Sequence, residues 1–520
     1  MIRGATLSKG VRSVAGLLLL LFPTAMILYM VQNMPEIQVE GFFAGSLASI
    51  GRSVQSGVLG GGWALILGLV PGYINAVYDY RGRTFIDHAL TIPLLLPPMV
   101  LAVSYHTLFD MDDLTGQGFQ AGLDFLRSPS GLAFIMGLNV YPFVYLSARI
   151  GFATSSKKYI RLGQSIGWSR VDVFRKIYLP LSMPVIALSL VMVSNEVMNE
   201  NEVAEFLGVR TIALSTEIDW ISLFDSRLLW PLAFLGMVGW SLIFALMQIH
   251  QRREKFSSTP VPNGRHNRLY LTGVKGWGFL LLCLVPIALS MGVPLFQAIL
   301  HVGNSFHKTR LDQLLSDGID TLFVGIVVGL LAILLVTPFV LLRTKTRSSV
   351  FFQFLMGMGY FVSSSVLGII ALIFIGQGSE FGMIDLLDST LPLIFILGLK
   401  LAIFSLILLE FGLSRTPKMI LDLLASLPIE GRRYWALVWK TLGSWILASF
   451  LLTLILTMRE LTLTRFLHPF DFATIGMRIQ DHALIPDLGR MYLWTLCLFL
   501  VGLYPIMFIN SRLEAADDES

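Results

Sequence analysis

Twelve apolar runs divide this chain of 520 residues, and each is close to the roughly 20 residues that an α-helix needs to cross a bilayer. Hydrophobic residues make up 55% of the chain and charged residues 14%, whereas a soluble domain carries about 25% charged residues. The sequence therefore predicts an all-α polytopic membrane protein with about twelve transmembrane helices. The runs lie near residues 14–33, 57–77, 89–109, 131–151, 181–199, 228–249, 276–300, 319–342, 351–377, 389–412, 441–460 and 491–511.

Lysine and arginine in the connections set the orientation, because positive charge is enriched on the cytoplasmic side of a membrane. With the amino terminus in the cytoplasm, the cytoplasmic connections hold 26 of the 38 Lys and Arg residues and the opposite side holds 10. We therefore predict a multi-pass protein with both termini cytoplasmic. The net charge of +4 gives no reason to expect a nucleic-acid partner, and membrane lipid is the expected surrounding.

The chain also predicts an internal duplication. A shift of 260 residues aligns Met198 and Glu200 with Met458 and Glu460, and a shift of 266 aligns Val100-Leu101 with Val366-Leu367. Because six spans return the chain to its starting side, two such repeats are parallel. We predict a first half at 1–249, a polar, basic cytoplasmic linker at 250–275 and a second half at 276–520.

A basic stretch, Arg161–Pro180, separates the fourth and fifth apolar runs on the predicted cytoplasmic side. Gly167 is followed by nine residues, then Ile177, one free position and Leu179-Pro180. This G-x9-I-x-L-P pattern resembles the coupling loop of the membrane subunits of bacterial binding-protein-dependent ABC importers. We assign this first loop to residues 159–180.

The match to that family is partial. Its Glu-Ala-Ala opening would fall at Arg161, Leu162 and Gly163. A degenerate second loop is expected at 420–441, where Asp422 takes the acidic opening and Pro428 replaces the glycine in one register, and a neighbouring register is open.

The residue types suit such a loop. Leu162–Ile166 and Val171–Ile177 are expected to form two short amphipathic helices, with a turn at Gly167-Trp168-Ser169 where glycine permits positive φ. Pro180 is expected to end the second helix, since it lacks an N–H. The alternative is a plain basic loop that follows the positive-inside rule.

The resemblance implies a transport subunit of the bacterial inner membrane that is not itself an enzyme. No G-x-x-x-x-G-K-[ST] phosphate-binding motif occurs in the sequence, so ATP hydrolysis is expected in a separate ABC ATPase subunit, present in two copies beneath a fused permease. A periplasmic substrate-binding protein is the other expected partner, and no cofactor is expected.

Residues 459–478, RELTLTRFLHPFDFATIGMR, resemble a stretch of ferric-iron permeases. The chain departs from that stretch at Thr462, His468 and Ile475. The resemblance makes ferric iron the expected substrate. The matching positions are Glu460, Leu461, Thr464, Leu467, Pro469, Phe470, Phe472 and Thr474.

Three carboxylates are candidates for the translocation path. Glu196 and Glu200 are four residues apart on one face of the fifth span, and Glu460 occupies the matching place in the other half. The alternative is that they pair with Arg459 or Arg465 or lie at the water interface. Lys400, near the middle of the tenth span, either pairs with a carboxylate from another span or extends to an interface; the metal ligands, if any, are unknown.

Two other interpretations remain open. Thiamine, a polyamine or an inorganic anion would use a similar permease. From a different class, an ion-coupled secondary transporter also has duplicated halves and charges within its spans. A membrane-embedded enzyme would need a convergent nucleophile or metal cluster in the spans, which the sequence does not offer.

Overall fold

The computed structural model describes residues 39–110, 119–153, 163, 165–223, 236, 238–239, 241–243, 268–305, 309–341, 357, 359–377, 383–416, 432–485 and 487–519. The predicted first span, at 14–33, lies outside these residues, as does most of the predicted span at 228–249.

Helices make up nearly all of the described structure, which confirms the all-α prediction. The first nine are α1 (Val39–Val77), α2 (Arg83–Ala89), α3 (Pro98–Phe109), α4 (Gln120–Leu126), α5 (Pro129–Ala153), α6 (Arg170–Val173), α7 (Leu179–Met198), α8 (Glu202–Leu207) and α9 (Ile212–Leu223). The next nine are α10 (Val274–Ile287), α11 (Val293–Ser305), α12 (Leu311–Leu341), α13 (Ser364–Gln377), α14 (Leu391–Arg415), α15 (Arg432–Met458), α16 (Thr462–Leu467), α17 (Ile475–Leu484) and α18 (Leu488–Glu519).

Shorter elements connect these helices. Two segments are π-helical, Phe174–Tyr178 and Ala288–Gly292, and two are 3-10 helical, Ile92–Leu95 and Met383–Asp388. The strands are only two residues long: β1 (Tyr78–Asp79) pairs in parallel with β2 (Leu269–Tyr270). This pairing fixes the end of the predicted linker against the segment that follows α1.

Eight helices in the described part of the chain are long and apolar enough to cross a membrane, and each coincides with a predicted span. The total of twelve remains a prediction, because the run at 14–33 lies outside the described residues and the runs at 228–249 and 351–377 are described only in part. The eight are Leu47–Val77, Pro129–Ala153, Val171–Met198, Val274–Gly303, Leu311–Pro338, Leu391–Leu413, Trp435–Met458 and Leu488–Glu514.

The apolar run predicted at 89–109 forms two helices with a break between them. The helical pair Arg83–Leu95 and Pro98–Phe109 bends by 94°. Leu96 and Pro97 between them are extended, with ψ of 119° and 135°. Two consecutive prolines explain the bend, because neither has an N–H to continue the helix and Pro98 restricts the residue before it.

A second break follows at the matching place. In the predicted span at 351–377, the helix stops at Phe361, Val362 bends, and α13 begins at Ser364. Since α3 begins at Pro98, the two helices start 266 residues apart, as the sequence alignment predicts.

The short helices α8 and α16 are a second pair with matching local structure. Each follows a glutamate and is fixed by the same backbone bond: Glu205 N donates to Asn201 O at 2.7 Å, and Arg465 N donates to Leu461 O at 2.8 Å. The shift is again 260 residues. These paired local structures support the predicted duplication.

The described helices form two compact units, and each unit combines segments from both the first and the second half of the chain. Unit I contains most of α1, α2 to α8, both strands, α10, α11 and α18. Unit II contains α12 to α16. Helices α9 and α17 each contribute to both units.

In unit I, α3 is bonded to later segments: Tyr105 Oη donates to Leu289 O at 2.8 Å, and Ser104 Oγ lies 2.8 Å from Tyr492 Oη. The boundaries 1–249, 250–275 and 276–520 remain predictions.

Glycines allow α1 to approach its neighbours closely. A Cβ on Gly68 would lie 2.7 Å from Tyr145 N and 2.8 Å from Tyr141 O, both in the backbone of α5. A helix backbone cannot shift to admit a methyl group without losing its hydrogen bonds. Gly62, on the same helix, has nothing within 4 Å of its Cβ position.

We predict that Gly68→Ala destabilises the protein by about 1–3 kcal/mol, the usual effect of overpacking. Gly62→Ala is the matched control and should leave the thermal denaturation midpoint in detergent unchanged or raised, because alanine favours a helix. Equal midpoints for the two variants would contradict the close contact between α1 and α5.

Candidate functional site

The first predicted coupling loop is described at Gly163 and from Ser165 onward, while Arg161 and Leu162 lie outside the described residues. Gly167 has φ of +85° and open space around its Cβ position. The chain turns at Ile166-Gly167 and continues without regular structure through Trp168 and Ser169. The predicted turn and its positive φ are therefore confirmed.

The helix after the turn begins with reciprocal capping. Asp172 N donates to Ser169 Oγ at 3.1 Å, and Ser169 N donates to Asp172 Oδ2 at 3.2 Å. Ser169 Oγ also donates to Asp172 Oδ2 at 2.5 Å. This S-x-x-D arrangement satisfies backbone N–H groups that a helix start leaves free. It fixes where α6 starts.

The prediction that Pro180 ends this helix is wrong. Helix α6, the π-helical segment and α7 are continuous, and the apolar span runs from Val171 to Met198. Pro180 occupies the first turn of α7. The missing N–H of Pro180 is accommodated where the π-helical segment changes the hydrogen-bond register. The loop therefore leads directly into a spanning helix.

The loop has a packed interior. Gly163 is buried, and a Cβ there would lie 3.0 Å from the Trp168 ring and 3.4 Å from Ile177. Ile177 is 8% exposed. Glycine at position 163 therefore permits close contact between the two arms of the loop.

Aromatic rings attach the loop to two spanning helices. The ring of Tyr73, on α1, meets Phe152 of α5 at 5.3 Å between centroids. The same ring meets Phe174 at 4.8 Å and Tyr178 at 5.5 Å, both in the π-helical segment. All three contacts are edge-to-face, the favourable arrangement for aromatic pairs. The start of the fifth span is thus held against α1 and α5.

The outer face of the loop combines apolar and basic groups. Ile166 is 61% exposed and Val171 59% exposed, and the side chains of Arg175 and Lys176 are exposed as well. Lys176 Nζ lies 3.3 Å from Asp172 Oδ1 and 4.7 Å from the Trp168 ring centroid. Ile166 at the turn and Val171 at the start of the apolar span are exposed apolar residues beside basic ones, and they form a candidate contact surface for a partner protein.

The predicted second loop is described only at its end. Asp422 and Pro428 lie outside the described residues. From Arg432 the chain is already helical in α15, where Val438 is buried and Trp439 is 61% exposed. The correspondence of this stretch to the first loop remains a prediction.

The predicted path carboxylates occupy different settings. Glu196 is half-buried on α7. Glu200 is not on that helix face as predicted, because α7 ends at Met198 and Asn199 leaves the helical conformation. Glu200 Oε1 instead accepts a bond from Val203 N at 3.3 Å, and Glu460 Oε1 accepts one from Leu463 N at 3.5 Å. The local bonds of Glu200 and Glu460 therefore match, and the role of the three carboxylates in a translocation path remains a prediction.

Lys400 pairs with Glu460, which resolves the alternatives that the sequence left open. Lys400 Nζ lies 3.3 Å from Glu460 Oε2 and also contacts Ser364 Oγ. Ser364 Oγ donates to Glu460 Oε1 at 2.6 Å, and Ser365 Oγ donates to Glu217 Oε2 at 2.5 Å. Lys400, Glu460 and Ser364 of unit II are named here the lysine cluster.

Burial and charge act in opposite directions on Glu460. Burial raises its pKa, but the Lys400 charge and the hydrogen bonds from Ser364 and Leu463 outweigh that effect and leave the pKa below its usual value. The carboxylate is therefore the ionised partner of Lys400. Sequence reasoning missed Ser364, Ser365 and Glu217, because helix packing alone brings them together.

Arg149 belongs to a buried pair that the sequence also did not predict. Its NH1 lies 2.6 Å from Asp87 Oδ2, with the side chains 1% and 0% exposed. The Tyr145 hydroxyl donates to Asp87, and nearby Arg83 pairs with Glu514 near the end of α18. An arginine within an apolar run requires a counterion, and the position of Arg149 was therefore the sequence feature that could have predicted a buried pair.

Among the residues described, no group of three or more His, Cys, Asp or Glu side chains is arranged to hold a metal ion. Both cysteines are free, Cys283 buried and Cys497 half-buried.

We predict that Ser169→Ala loosens the start of α6, because loss of an N-cap costs about 1 kcal/mol. Amide hydrogen exchange at residues 170–173 should accelerate several-fold, while exchange in α5 stays unchanged. Ser169→Thr keeps a capping hydroxyl and should preserve slow exchange. Identical exchange in the Ala and Thr variants would contradict the capping role.

Comparisons with known proteins bear on this site. Residues 64–255 match the family described as "Binding-protein-dependent transport system inner membrane component". That region contains the first loop, α7 and the following helices.

The curated relatives are permeases. The chain is 25% identical over 233 residues to a sulfate transport system permease protein, CysT, of Salmonella typhimurium, covering 42% of this chain and 80% of that protein. It is 28% identical over 129 residues to a molybdate/tungstate permease, WtpB, of Pyrococcus abyssi, covering 25% and 47%. It is 25% identical over 156 residues to a spermidine/putrescine permease, PotC, of Escherichia coli, covering 30% and 55%. The chain thus spans about half the length of the last two relatives.

These relatives carry names of sulfate, molybdate, tungstate or polyamine systems, so the comparisons do not support ferric iron. The family match and the eight apolar helices support a multi-pass protein of the inner membrane. Together they support an importer permease of the binding-protein-dependent ABC class.

Proposed function

We propose that this chain is the membrane permease of an ABC importer, driven by a separate ATPase subunit that binds the first loop. The observation that carries the proposal is the exposed surface at Ile166 and Val171, held on a packed loop that leads without interruption into a spanning helix. The apolar pair suits a groove on a partner, and Arg175 and Lys176 beside it suit acidic groups.

The packing of the first loop allows it to transmit movement to the spanning helices. Tyr73 packs against Phe152, Phe174 and Tyr178, so a push on the loop is delivered to α1, α5 and α7 together. Close-packed interiors transmit such movements because they resist compression. The ATPase would thereby change access to the path from one side of the membrane to the other.

The remaining partners follow from the fused architecture. Two permease halves in one chain suit two copies of the ATPase, with the 420–441 segment as the second contact. A periplasmic binding protein would deliver substrate on the opposite face. The distribution of Lys and Arg supports a cytoplasmic location for both termini.

An inorganic oxyanion is the proposed substrate, because sulfate and molybdate permeases are among the relatives. Ferric iron is the second candidate. The observation that favours it is the 459–478 stretch, with Glu217 and Glu460 inside unit II, since carboxylate oxygens suit hard cations.

We predict that Ile166→Asp weakens ATPase binding at least about tenfold, because it places a charge in an apolar contact. Co-purification in mild detergent measures the effect. Ile485→Asp is the control: Ile485 is 65% exposed and lies on the side predicted to be periplasmic. Equal ATPase recovery with both variants would refute docking at this loop. Uptake that needs no ATP and is driven by an ion gradient would indicate a secondary transporter.

We predict that cells lacking this gene lose uptake of radiolabelled sulfate or molybdate at low external concentration, and that the wild-type gene restores it. The same cells are assayed with radiolabelled ferric iron under iron limitation and with putrescine. Loss of iron uptake alone would replace the oxyanion by the second candidate, and loss of putrescine uptake alone would indicate a polyamine.

A further inference from the structure

The lysine cluster contains a charge that the local fold does not require. Lys400 is the tenth residue of α14, so it lies about 14 Å from the start of that helix at 1.5 Å per residue. Its side chain is 8% exposed. A charged residue in such a position is costly and is typically kept for a function.

The duplicated architecture provides an internal comparison. Gly137 of α5 faces Trp63 of α1, and Gly398 of α14 faces Leu331 of α12. The two glycines are 261 residues apart, and the residues that they face are 268 apart, so α5 matches α14 at a shift of 261 residues and α1 matches α12 at 268. At the shift that matches α5 with α14, Asn139 of unit I is the counterpart of Lys400.

Both counterparts act at a helix break. Asn139 Nδ2 donates to Leu96 O at 2.7 Å, where the chain bends before α3. Lys400 Nζ contacts Ser364 Oγ, where the chain bends before α13. In unit I a neutral amide binds the backbone at the break, whereas in unit II a lysine contacts the Ser364 side chain and has Glu460 as its counterion.

The difference in charge has to be explained by something other than folding. Replacing a buried ion pair by neutral groups is often neutral or stabilising. Glu460 lies in the connection between α15 and α16, and its side chain is 15% exposed, about twice the exposure of Lys400. It is therefore the more accessible member of the pair.

We propose that Lys400 is a contact for the transported tetrahedral oxyanion, and that the Glu460 carboxylate occupies the oxyanion's place while no substrate is present. This inference rests on the proposed importer function and names the residue that recognises the substrate charge. The Ser364 hydroxyl is the second donor of the site, because it already donates to the Glu460 carboxylate at 2.6 Å.

The arrangement suits transient binding. The Glu460 carboxylate is tied to its place beside Lys400 by the short connection between α15 and α16, so its negative charge opposes the oxyanion that has displaced it. A transport site must bind strongly enough to admit its substrate and weakly enough to release it.

The test uses the complete complex of this chain with its ATPase and binding protein, reconstituted in vesicles and assayed with radiolabelled sulfate and molybdate. Lys400→Asn copies the amide of unit I and should lower uptake about tenfold or more, because it removes a charge-assisted hydrogen bond to the oxyanion. Glu460→Gln removes the competing carboxylate and should lower KM about threefold or more. Lys275→Asn, at an exposed lysine on α10, is the control for the substitution itself.

The double variant separates recognition from structure. If the ion pair only supports the fold, Lys400→Asn combined with Glu460→Gln should restore wild-type uptake, because neutral groups suffice at the other break. If Lys400 recognises the substrate, the double variant stays defective, while binding-protein-stimulated ATP hydrolysis continues. Restored uptake would overturn the proposal. Loss of uptake in Glu460→Gln would overturn it too, since that result indicates a cationic substrate held by the carboxylate.

Lys400→Arg decides the matter if the Asn variants do not reach the membrane. A guanidinium binds an oxyanion with a different geometry from an ammonium, so the ratio of the KM values for sulfate and molybdate should change. An unchanged ratio would contradict the contact. Failure of the wild-type complex to transport either oxyanion would overturn the substrate class and this inference together. The coupling role of the loop is tested independently, by ATPase binding to the Ile166→Asp variant.

Discussion

A backbone inside an apolar environment must find partners for its own polar groups, and this constraint shapes both units. Uninterrupted helices meet it internally. The breaks before α3 and α13 do not, because two residues at each break leave the helical conformation. Side chains from neighbouring helices therefore supply partners: Asn139 donates to the Leu96 carbonyl. Short helices α8 and α16 then pack against α3 and α13 beside the breaks.

The side chains beside the two breaks differ in chemistry. In unit I the partner is an amide, and the surrounding residues include prolines. In unit II serines occupy the start of α13, and Lys400 and Glu460 complete the contact. A buried ion pair contributes little to stability once its desolvation is counted. If the chain is duplicated as predicted, a difference between matching positions distinguishes groups that hold the fold from groups retained for another purpose.

The first loop is a packed extension of the spanning helices. Its turn depends on Gly167 at positive φ, its helix on the Ser169–Asp172 cap, and its attachment on the ring of Tyr73. The π-helical segment keeps the helix continuous into α7 where Pro180 would otherwise interrupt it. This continuity was not predictable from Pro180 alone, because proline ends a helix only when nothing else absorbs its missing N–H.

The sequence by itself determined the all-helical class, the positions of the eight described spans and the turn at Gly167, because hydropathy and glycine conformation act locally. It also aligned Glu200 with Glu460. The tertiary structure adds that 89–109 bends at Pro97-Pro98 and that Glu200 accepts a bond from Val203 N. It alone decided that Lys400 meets Glu460 and Ser364, and that Arg149 meets Asp87. These contacts join residues far apart in the chain, and their existence depends on how helices pack.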